Sequence, residues 1–184
     1  MNEGQNAFEK IQLLLNTKEL AALGPEMRLA REPLRSLEAK LDTIFSETKL
    51  PPLTQPLVRS LVLLWHDYLD ESHSISQDMH NVDGSFLHGI MHRREPDYGN
   101  AEYWFHRVGE HPCFPVIAKN AAEFLASERT TTLRDQLIRE GSWDPFAFIN
   151  ACEGAFQRNS TQMIKLLERV QEIEFRALLQ HFVR

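Results

Sequence analysis

Seven of the eight histidines fall between positions 66 and 111, and all three tyrosines and two of the three tryptophans lie in or beside that stretch. Imidazole is the side chain that most readily exchanges a proton or holds a metal near neutral pH. Aromatic rings with polar tips suit half-buried pockets. A site between Trp65 and Pro112 is therefore expected. The competing explanation is a central, partly buried helix pair that uses histidine as a polar filler.

Three groupings in this stretch can do chemistry. The first is His66, Asp70 and His73, with Asp67 and Glu71 close by. Offsets of four and three place the three side chains on one face if a single helix carries them. A carboxylate beside an imidazole can orient it for metal ligation or proton transfer. The same pattern is also what a solvated helix face looks like.

The second grouping is His88-Gly89-Ile90-Met91-His92, a pair at i and i+4 that a helix would aim the same way, as zinc-binding helices require. Gly89 stands where metalloproteases place a glutamate, so a zincin is not supported. Two histidines are half a zinc set. Further ligands would come from His66, His73, Asp70 or Glu95, and the favoured arrangement brings His66, His88 and His92 to one pocket with Asp70 or Glu95 nearby.

The third grouping runs from Arg93-Arg94-Glu95-Pro96-Asp97-Tyr98 to Tyr103-Trp104-Phe105-His106-Arg107. Arg93, Arg94 and Arg107 can offer forked donors to a small anionic ligand, Trp104 or Tyr103 can supply a stacking face, and Tyr98 can line the pocket with His66, His88 and His92. The alternative is an internal salt network linking Arg93 or Arg94 to nearby acids.

The segments Trp65-His66-Asp67, Ser72 to Gln77 and His88 to Tyr98, with Tyr103-Trp104-Phe105 and Arg107-Val108-Gly109, resemble those of an uncharacterised family of hypothetical proteins. The resemblance covers the middle of the chain and implies no activity, cofactor or catalytic residue. Ser72 or Ser85 could serve in a Ser/His/Asp arrangement, but nothing marks either as a nucleophile. Gly-rich phosphate loops and nucleophile elbows are absent.

The elements that must position these groups read as helices throughout. Apolar residues recur at spacings of three and four, as in Leu34, Leu37, Leu41 and Phe45, and again from Met163 to Leu178. Thr54-Gln55-Pro56 opens a helix predicted to continue to Gln77, Asn81 to Ser85 reads as a turn, and Phe86–Arg94 as a short helix. Asp144-Pro145 looks like a cap and first turn. No stretch alternates with period two. The expectation is a single all-α domain over residues 1–184, a bundle of five to eight helices.

Composition excludes several classes. With 42% hydrophobic and 25% charged residues over 184 positions, the chain is globular in character. The net charge of −6 disfavours a nucleic-acid partner. No apolar run is long enough for a membrane span, and two cysteines without paired spacing suggest neither a zinc ribbon nor a disulfide framework. A cytoplasmic protein is expected. The leading function is a small-molecule (anionic ligand) or metal-binding helical domain that could act as an enzyme, with a divalent metal such as zinc as cofactor. The second is a noncatalytic interaction domain that docks a partner on the aromatic segment 98–107.

Overall fold

The structure, a computed structural model, describes residues 3–184. Among these residues the regular structure is ten helices and one small antiparallel hairpin. The all-α expectation is met, with more helices than anticipated. They are α1 (Glu3–Leu15), α2 (Leu34–Thr48), α3 (Gln55–Trp65), α4 (Leu69–Ser76) and α5 (Val82–Arg94). After these come α6 (Tyr98–Val108), α7 (Phe114–Ser127) and α8 (Thr131–Leu137), then β1 (Ile138–Arg139), β2 (Ser142–Trp143), α9 (Pro145–Gln157) and α10 (Thr161–Phe182). The hairpin pairs Ile138 with Trp143 and Arg139 with Ser142.

The outer helices follow the amphipathic pattern. Leu37, Leu41 and Phe45 of α2 and Leu167, Val170, Phe175 and Leu178 of α10 are buried. They join one apolar core cluster that extends from Ala7 to Val183. Caps form where the residue types invite them. Asp144 accepts from the Ala147 N–H at 2.9 Å and Asn81 from the Gly84 N–H at 2.7 Å.

Two expectations are corrected. The helix starting near Thr54 does not continue to Gln77: it stops at Trp65, and α4 begins only at Leu69. Asp67 lies between them with φ +64°, in the left-handed region. Distant arginines hold this break. Asp67 accepts from Arg28 Nε and from Arg94 Nη2, each at 2.7 Å. Arg28 also donates to the Trp65 carbonyl, and Arg94 to the Leu64 carbonyl alongside the Asp67 N–H, at the C-terminal end of α3. The Ser60 and Ser72 hydroxyls, 2.7 Å apart, then fasten α4 to α3.

The second correction concerns α5, which begins at Val82 rather than Phe86. The Asn81–Ser85 turn chemistry is its cap and first turn. Every residue from Gly84 to Arg94 is buried. A helix enclosed on all sides has no solvated face and hence no apolar stripe to read. Gly89 permits this enclosure: a Cβ there would meet the Phe105 ring of α6 at 2.8 Å.

Candidate metal centre

The helical offset of four sets His88 and His92 on one face of α5, their rings 4.8 Å apart between centroids and nearly parallel at 19°. The redirected α4 brings in His73, whose ring centroid is 4.7 Å from that of His88 and 5.4 Å from that of His92. One ligand-capable atom from each ring lies within 4.8 Å of the others. Nitrogens bound to a tetrahedral zinc at about 2.0–2.1 Å stand roughly 3.3 Å apart. The three rings must therefore draw closer to hold an ion.

The electrostatics suit a cation. Both His88 and His92 are at least nine-tenths buried, and the Nδ1 of each is buried without a hydrogen-bond partner. Such an orphan costs about 1–3 kcal/mol unless something satisfies it. Burial, reinforced by the neighbouring His92 and His73, pushes His88 down to about 4. Burial also lowers His92, opposed by Glu95 and reinforced by His73. Neutral imidazoles are the form that binds metal.

A second layer surrounds the three rings. Trp104 of α6 stacks on His88 at 3.9 Å and 14°. The Arg107 guanidinium lies 5.2 Å from the Trp104 ring. Glu95 Oε2 is 3.3 Å from His92 Nδ1, close enough to pair but too oblique, as the rings stand, for a hydrogen bond.

The other expected residues lie elsewhere. His66 does not join His88 and His92: its Nε2–H donates to the Leu14 carbonyl at 2.9 Å, because the break at Asp67 removes it from the face of His73. Asp70 is exposed on α4 and outside the cluster. Arg93 is fully buried, donating to Glu174 at 2.6 Å and to Gln171 at 3.3 Å, with its guanidinium over Phe148. Arg94 is committed to Asp67. The internal-network alternative thus describes both arginines, with partners more distant in sequence than those first weighed. The Tyr98 hydroxyl is buried without a partner, and burial together with Cys152 and Glu153 pushes it up to about 12. Of the ligand set first weighed, the structure brings together His88, His92, Trp104 and Arg107, with His73 as the third ring. The aromatics of segment 98–107 do not form one exposed patch, since Phe105 is buried and only Tyr103 stands well out, at 53% exposure.

A second cluster went unremarked in the sequence because its members come from three separate regions. Asp83 Oδ1 accepts from His111 Nε2 at 2.9 Å and lies 3.1 Å from His181 Nε2. His111 Nδ1 accepts from the Cys113 N–H at 3.1 Å. That contact leaves the His111 proton on Nε2, facing Asp83, so the lone pair a metal would need is not presented. Burial works to raise the Asp83 carboxyl, but the hydrogen bond from His111 and the charges of both histidines hold it below the usual carboxylate range.

No family model, curated protein or solved structure is found to match the chain. No helix among the described residues is long and apolar enough to cross a membrane. An apolar groove between α1 and α2, lined by Leu14, Ala39 and Ile44 with Lys10 and Lys40 at its edge, contains no histidine.

Proposed function

We propose that the protein binds one divalent transition-metal ion, zinc foremost, through His73, His88 and His92. The observation that carries this reading is the convergence of three imidazoles from two helices, two of them buried. An all-imidazole set favours zinc, copper, nickel or cobalt over magnesium or calcium, which take oxygen ligands. Three protein ligands leave a position open, the arrangement of catalytic rather than closed structural zinc sites. A bound ion would supply Lewis acidity and an acidified water. The small anionic ligand expected from the sequence would then be drawn by the ion, since Arg93 and Arg94 are already paired with carboxylates. Two buried free thiols, Cys113 and Cys152, accord with a reducing cytoplasm, which belongs to the same reading.

Calorimetric titration of zinc into chelator-stripped protein tests this. One ion should bind per chain, and His88→Ala and His92→Ala should each abolish that binding while the helical circular dichroism persists. Absence of binding by the unaltered chain, or binding undiminished in both variants, refutes the proposal.

A further inference from the structure

We infer that Glu95 is the positioning residue of this site: it accepts a hydrogen bond from the Nδ1–H of His92, which keeps the proton there and leaves Nε2 with the metal-binding lone pair. The inference rests on the three-histidine reading and goes beyond it by assigning a role behind the ligands. Glu95 is the C-cap of α5, one turn beyond His92, so the helix end fixes the two side chains as neighbours. Its carboxylate stands 3.3 Å from His92 Nδ1. That nitrogen has no hydrogen-bond partner of its own. A small rotation of the Glu95 side chain, which is 35% exposed, would straighten the contact.

The alternatives to Glu95 are already engaged. Asp97, the other acid close to His92, accepts from the Asn100 N–H at 3.2 Å and from its side-chain amide at 2.6 Å, capping α6. Glu95 is also absent from the set of ligand atoms lying within 4.8 Å of one another, which holds three imidazoles and no carboxylate. It therefore touches one ligand without joining the ligand set. Carboxylates in that place fix the tautomer and orientation of a metal-bound imidazole and raise its basicity.

Cobalt(II) titration followed by its visible absorption tests the assignment on the unaltered chain, Glu95→Ala and Glu95→Gln. The Glu95→Ala change should weaken cobalt binding ten- to hundredfold. Glu95→Gln keeps an acceptor without the charge and should restore part of that affinity. Both variants should keep the helical circular dichroism of the unaltered chain without metal, so that a loss of affinity reports the site and not unfolding. Equal affinity in Glu95→Ala overturns the inference and leaves the three-histidine site intact. A changed shape of the cobalt spectrum in Glu95→Ala overturns it too, by showing that Glu95 is itself a ligand. Failure of the unaltered chain to bind cobalt sinks the metal reading itself, a result distinct from both.

Discussion

Among the described residues the chain builds two compact histidine clusters from similar residue types, and they differ in what their nitrogens already hold. In the group of Asp83, His111 and His181, a carboxylate lies between two rings and a backbone N–H holds the far side of His111. Both ring nitrogens of His111 are engaged. In the group of His73, His88 and His92, rings stack on rings and on Trp104, while buried nitrogens of His88 and His92 have no hydrogen-bond partner. Similar composition gives a fastening in one place and an open donor set in the other. Reactivity is carried by the unsatisfied atoms, not by the residue types.

The sharpest way to break this contrast is to remove one ring from each group. The His73→Ala change should weaken zinc binding by more than about a hundredfold, since even a partner behind a ligand can account for that much. His111→Ala should leave the affinity unchanged. Calorimetry on the pair decides, and equal losses would erase the distinction.

Acid should unfasten the groups in different windows. Unfolded, His88 takes a proton near its ordinary value of 6.5, whereas folded it resists until about 4. The unfolded state thus binds more protons in between, and stability falls as the pH drops from 6.5 toward 4. A depression of that size is worth about 3 kcal/mol as an upper bound. Asp83 acts lower down: its folded value is depressed from the ordinary 3.8, so its contribution is lost only as the pH falls below that. Urea unfolding across this range, with His88→Ala beside the unaltered chain, should show the upper loss shrink in the variant, the remainder coming from His66 and His92, which burial also lowers. An upper loss that persists undiminished there would show that His88 does not cause it.

The smallest expected effect is on the satisfied group. The Asp83→Ala change strands the buried Nε2–H of His111 and should lower unfolding free energy by about 1–3 kcal/mol. Zinc affinity should not move, and a loss there would mean that the two groups are coupled.

How far the sequence could be read follows the reach of each interaction. The amphipathic helices α2 and α10 and the Asp144-Pro145 cap are local patterns, and they form where expected. The pair at positions 88 and 92 is local as well. Recruitment of His73 in place of His66 depends on the break at Asp67, which is held by Arg28 and Arg94, 39 and 27 residues away. No periodicity near Asp67 records either arginine. The roles of Arg93 and Arg94 were hidden for the same reason, with Glu174 lying 81 residues beyond Arg93. The pattern of α5 was obscured by its enclosure.

That enclosure has a kinetic consequence. Amide hydrogens in the middle of α5 can reach solvent only when much of the protein opens, so they should be among the slowest to exchange for deuterium. The eight-residue α4, which carries His73, buries only Ser72 and Ser76 and should open more readily than α5. An ion captured here would meet two rings held on the slowest-exchanging helix and a third on a segment that opens far more often. Its escape would be timed by the detachment of α4, and deuterium uptake in α4 should slow on metal addition while uptake in α5 barely changes.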